Sequence, residues 1–244
     1  MRPPSTAELL DAWEQASNAP PYRRALALLA AACPDLSFQE IAQLTIGQRD
    51  TLLLTLREWT FGSNLASVAT CVACGERLEW TVNASDLRVA GHEATKSDLT
   101  LDVNGYYVSF RLPNSSDLEV VAQASEASTA QRSLLERCVT NARLEDKKLE
   151  IRSLPPEVTE AIARRMGEAD PQADVQLDLS CPACGHRWQA LLDIEVFFWT
   201  ELCSWARGLL SQVHTLACAY GWREADILNL TPWRRQYYMA LVGG

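Results

Sequence analysis

Along the first third of the chain apolar residues recur at helical spacing. Leu9, Leu10 and Trp13 form one stripe, which ends at Asn18-Ala19-Pro20-Pro21. Ser5 and Glu8 stand three apart before it and fit a capping box, each satisfying a free backbone donor of the first turn. Tyr22 to Cys33 reads as a second helix, stopped by Pro34. Ser37-Phe38-Gln39-Glu40 is a second capping box, ahead of a short helix through Ile41 and Leu44. Leu52, Leu56 and Trp59 then mark a longer helix from Gly47, with Gly62 at its end.

Near Leu65 the period changes from helical to two. Leu78, Trp80 and Val82 alternate with polar residues, as do Val175, Leu177 and Leu179, and again Trp188, Ala190 and Leu192. These are half-buried strands. Leu101 to Val108 reads as a hairpin turning on Asn104-Gly105. Between the strand regions, Asp117 to Ala124 and Ser128 to Asn141 are predicted helices. Pro155-Pro156 opens another, with Val158, Ile162 and Met166 on one face. Phe198, Leu202, Trp205, Leu209, Val213 and Leu216 trace a long helix ending near Gly221. Two short helices follow, Glu224 to Leu230 and one opened by Thr231-Pro232. The expected fold class is α+β, with helical N- and C-terminal parts around a small central β region. The expected organisation is an N-terminal helical region at 1–64, a β region split between 65–112 and 172–193, a helical insertion at 113–171 and a C-terminal helical module at 194–244.

Two motifs inside this pattern carry chemistry. Cys71-Val72-Ala73-Cys74-Gly75 and Cys181-Pro182-Ala183-Cys184-Gly185 share the C-x-x-C-G spacing of a zinc knuckle, and each leads into an alternating strand. A tight turn lets both thiolates of one knuckle reach one metal, and two knuckles supply four. The glycine after the second cysteine permits a positive φ. Arg77 and Arg187 stand three residues after the second cysteine of each knuckle. They are the expected second shell, offsetting the charge of a four-thiolate Zn²⁺ site. The expectation is one structural Zn²⁺ on Cys71, Cys74, Cys181 and Cys184, in a ribbon of two hairpins. Residues 75–180 intervene as an insertion. A thioredoxin-type redox pair would open a helix instead. His186 is an alternative ligand. Cys33, Cys138, Cys203 and Cys218 lie in predicted helices and read as buried small hydrophobes.

Four thiolates leave no open coordination position, so the zinc is not expected to be catalytic. No phosphate-binding loop, serine nucleophile elbow or H-E-x-x-H motif occurs. His214 reads as a helix-face residue, and Glu168 with Asp170 as a solvated helix cap. No enzymatic role is expected. With 22 basic residues against 31 acidic ones, the net charge of −9 argues against nucleic acid as the main partner. A zinc-ribbon nucleic-acid-binding adaptor is the alternative function and a thiol-redox enzyme a third reading. No apolar run reaches the length of a membrane span. Without an apolar leader pattern the expected location is cytoplasmic, where thiols stay reduced. The eight tryptophans suit a filled core or an interface. Trp222, Trp233, Arg234 and Arg235, near the C-terminus, have the composition of interface hot spots and are the expected partner-binding residues.

The chain resembles the T4-type baseplate hub assembly chaperone family of contractile phage tails and contractile injection systems. The resemblance is carried by Arg24 to Leu29, Ile46-Gly47-Gln48-Arg49-Asp50, Leu56-Arg57-Glu58 with Phe61-Gly62, and both knuckles. It continues through Arg111 to Leu118, Glu168 to Asp174, and His214 to Tyr237. It implies a non-enzymatic assembly chaperone or structural adaptor whose partners are baseplate hub, spike or tube proteins. The zinc ribbon departs from shorter members, which implies a protein that could stay in the finished tail or injection particle.

Overall fold

The computed structural model describes residues 1–89, 98–145 and 147–243. The chain folds as two compact units. One comprises 1–38 with 194–244, and the other 39–193. In chain order, helical segments precede and follow a sheet-containing middle, so the fold class is the expected α+β.

The first unit is helical. It contains α1 (Thr6–Ala16), α2 (Pro21–Ala32), α8 (Ile194–Tyr220), α9 (Glu224–Leu228) and α10 (Pro232–Gly243). The Ser5–Glu8 capping box forms as expected and fixes the start of α1. α8 buries Phe198, Leu202, Ala206, Leu209, Val213 and Leu216, one stripe along its length. Leu10 packs with Ala206 and Leu209. Val213, Leu216 and Ile227 form a further cluster near the C-terminal end of α8. The Trp13 indole N–H donates to Cys203 Sγ at 3.4 Å, and the Arg24 guanidinium lies 4.9 Å from the Trp199 ring centre.

The second unit holds most of α3 (Phe38–Gln43), then α4 (Ile46–Phe61) and two hairpins. β1 (Asn64–Thr70) pairs with β2 (Arg77–Asn83), and β7 (Gln176–Ser180) with β8 (Arg187–Leu191), all antiparallel. Between them lies a four-stranded sheet in the order β3 (Leu99–Val103), β4 (Tyr106–Phe110), β5 (Val139–Leu144), β6 (Lys147–Lys148). Asn104 and Gly105, at φ 52° and 79°, make the expected tight turn. α5 (Ser115–Val121), α6 (Ala127–Cys138) and α7 (Pro156–Ala169) complete the unit. The sheet core gathers Val108, Phe110, Leu135, Cys138, Val139, Ala142, Val158 and Ile162.

Two expectations need correction. The helix expected to run to Asn141 ends at Cys138, and β5 begins at Val139, so 113–171 is not wholly helical. The register shifts there: Ser109 faces Asn141, but Phe110 faces Val139. This bulge lets Val139 and Ala142, three apart, both stay buried in the core. The second correction concerns Asp170. It is buried rather than a solvated cap, and its carboxylate accepts the Gly47 N–H at 2.9 Å, at the start of α4. A Cβ at Gly47 would collide with that carboxylate, so glycine is required by the close approach.

Candidate metal centre

Each knuckle is a turn closing a hairpin. The Cys71 N–H donates to Glu76 O at 2.8 Å and the Gly75 N–H to Cys71 O at 2.9 Å. In the second knuckle Cys181 N–H donates to His186 O, and Gly185 N–H to Cys181 O, both at 2.9 Å. Gly75 and Gly185 have φ of 78° and 74°, the left-handed region that favours glycine. Thr70 faces Arg77 on one hairpin, and Ser180 faces Arg187 on the other. The two knuckles are therefore conformational equivalents.

The fold brings all four sulfurs together. Cys71 Sγ lies 3.7 Å from Cys184 Sγ, and Cys74 Sγ 3.7 Å from Cys181 Sγ. All four ligand atoms lie within 4.8 Å of one another. Sulfurs at the corners of a tetrahedron, about 2.3 Å from a central zinc, would be about 3.8 Å apart. The spacing thus fits a four-thiolate metal site. Cys71 and Cys181 are buried, and Cys74 and Cys184 face solvent.

The electrostatics of the cluster are those of thiols forced together. Burial works against the Cys71 thiolate. The Ala73 and Cys74 N–H groups and the neighbouring thiols outweigh it and bring the pKa down to about 7. At Cys74 the Glu76 N–H favours the thiolate, but Cys184, burial and the other two sulfurs push the pKa up to about 12. A cation at the centre would resolve this conflict by binding all four sulfurs as thiolates.

The two arginines expected as a second shell stand at the starts of β2 and β8. Arg77 is exposed and pairs with Glu79 at 3.0 Å. Arg187 is also exposed. The donors that favour the thiolates are backbone N–H groups of Ala73, Cys74, Glu76 and His186. His186 lies outside the four-sulfur cluster, with its ring stacked 5.7 Å from that of Trp188. Of the remaining cysteines, Cys33 and Cys138 are buried as expected, Cys203 is half-buried, and Cys218 is exposed.

Several stretches that carry the resemblance make polar contacts within the second unit. Asp117 accepts both Arg111 amino groups, at 2.6 and 2.8 Å, and Arg137 Nε at 2.8 Å. It also accepts the Asn114 N–H at 3.0 Å, while Asn114 Nδ2 donates to Gln43 Oε1 at 3.0 Å. The Ile46 N–H donates to Pro113 O at 3.2 Å. Gln172 accepts the Val89 N–H at 2.8 Å and donates to Leu87 O at 3.1 Å. Arg49 Nε donates to Asp50 at 2.7 Å, and burial raises the Asp50 pKa against the pull of that guanidinium.

A family model for the T4 bacteriophage base plate protein matches residues 9–199. The chain belongs to that family. The span covers α4, both knuckles and the polar contacts just described. No curated protein and no solved structure matches the chain.

The baseplate-family span ends within α8, so the expected partner-binding residues lie beyond it. The structure separates them. Trp222 stacks on Tyr220 at 4.7 Å and meets the edge of Tyr238 at 4.9 Å, half-buried against Val213 and Leu216. Arg235 is buried. Its Nε donates to Gln212 Oε1 at 3.0 Å, and its Nη1 to Ile227 O and Leu230 O at 3.4 Å. Both residues hold the C-terminal turn together. Trp233 and Arg234 are exposed. Tyr237 is exposed as well, and its ring lies 5.8 Å from that of Trp233. Leu241 continues this exposed line, a spacing of four that the adjacent apolar Tyr238 and Met239 mask in the sequence.

Proposed function

We propose that this baseplate-family protein is a non-enzymatic adaptor or assembly chaperone of the baseplate hub in a contractile phage tail or injection system. Its knuckles hold one structural Zn²⁺. The family match over residues 9–199 is the observation that carries this reading. A base plate is a protein assembly, and a member without catalytic machinery contributes by binding its neighbours. The four-thiolate geometry supports a closed, structural metal site, because a catalytic zinc keeps a position for water. When bound, the ion would join two hairpins that lie far apart in sequence. Two-stranded hairpins are marginal alone, so this cross-link would fix the ribbon. The acidic balance favours protein partners over nucleic acid.

The test is genetic. Deleting the coding gene from the particle's gene cluster should stop hub and baseplate assembly, leaving unattached tube or sheath. Mass spectrometry of purified wild-type particles then assigns the role, a retained protein being an adaptor and an absent one a chaperone. Normal contractile tails in the deletion strain would overturn the proposal.

A further inference from the structure

The exposed residues of α10 are not scattered. Trp233, Tyr237 and Leu241 follow each other at intervals of four, with fractional exposures of 74%, 56% and 56%. At 100° per residue they fall with Ala240 inside one arc about 100° wide. Gln236 borders the arc on one side and Arg234 on the other. The opposite side of the helix carries Arg235, Tyr238 and Met239, turned towards α8 and α9. Large apolar residues offer roughly 150–250 Å² each when fully exposed, so the stripe presents on the order of 400 Å². That is as large as the principal apolar patch of a typical monomer.

We propose that α10 is a docking helix. It lays Trp233, Tyr237 and Leu241 into an apolar groove with an acidic rim on another baseplate component. This rests on the baseplate reading above and names the surface that reading uses. Two arguments choose the occupant. A second copy meeting stripe to stripe would bury about 800 Å² in total, below the roughly 1,200 Å² of a stable interface. A groove that encloses the helix takes more surface from the same anchors, and anchors one turn apart are how such grooves read a helix. The charge argument fixes the rim. α10 has no acidic residue, and Arg234 is the cation beside the stripe, because Arg235 is buried beneath the helix.

The test produces the full chain together with the hub, spike and tube proteins of its own particle. A folded Trp233→Ser/Tyr237→Ser/Leu241→Ser variant, with wild-type zinc content and melting temperature, should lose at least about thirtyfold in affinity for the component that wild type retains. In parallel, a photo-crosslinking benzoylphenylalanine at position 237 should join that component, and one at exposed Val68 on β1 should not. Full retention by the folded variant, or a position-237 crosslink to a second copy of the chain, would overturn the proposal. If the variant fails to fold, the crosslink decides. A wild-type chain that retains none of these components would sink the baseplate reading itself, whereas retention with an indifferent α10 sinks only this one.

Discussion

Asp117 has no exposed surface, yet it is a charged group. Burial alone would raise its pKa. Arg111, the Asn114 N–H and Arg137 outweigh that and hold it below the ordinary carboxylate value. The folded chain therefore protonates this group less readily than the unfolded chain does. Its contribution is complete above the unfolded pKa of about 3.9 and is lost as pH falls below it, through the depressed folded value. Asp117→Ala leaves two guanidinium groups without their shared acceptor and should cost about 3 kcal/mol at neutral pH. Urea unfolding at pH 7 and pH 3 checks this: the difference between wild type and variant should shrink at the lower pH. A pH-independent difference would contradict the pairing. Gly47→Ala should cost about 1–3 kcal/mol through the collision with Asp170, read as a lower melting temperature with zinc content unchanged. The cysteines were legible because knuckle spacing is local. Asp170 was not, because its partner Gly47 stands 123 positions away.

Among the elements, the Asn104-Gly105 hairpin was readable because its turn needs two positive φ angles that few residues supply. β5 was not. The bulge opposite Ser109 and Phe110 leaves Val139 and Ala142 three apart on one face, which mimics the helical spacing of α6 before it. The C-terminal helices were placed correctly from periodicity, but periodicity does not say which arginine faces inward. Arg235→Ala should destabilise the α8–α10 turn by about 1–3 kcal/mol, since Gln212 Oε1 and the Leu230 carbonyl lose the guanidinium as a donor and the Ile227 carbonyl keeps only the Leu230 N–H. Arg234→Ala, at an exposed position, should stay within about 0.5 kcal/mol of wild type. Thermal unfolding of the two single variants separates them; equal effects would contradict the assignment of Arg235 to the fold.

Across the chain as a whole, the grouping of 1–38 with 194–244 depends on contacts between segments at opposite ends of the sequence. Hydrophobic period reveals each helix but not its companions. The four-cysteine cluster has the same long-range character, yet it was legible because the two knuckles repeat one motif. On the proposed structural-zinc reading, removing the metal should therefore act regionally. Hydrogen exchange after chelation should accelerate in β1, β2, β7 and β8, while α1, α2 and the middle of α8 keep their protection. Uniform acceleration through both units would contradict a local structural role.

Native mass spectrometry of the untagged chain bears most directly on the four-thiolate centre. The prediction is one zinc per folded chain, lost together with ribbon protection in Cys71→Ser and Cys184→Ser. A folded, metal-free wild-type chain, or a zinc stoichiometry unchanged in both variants, would contradict it.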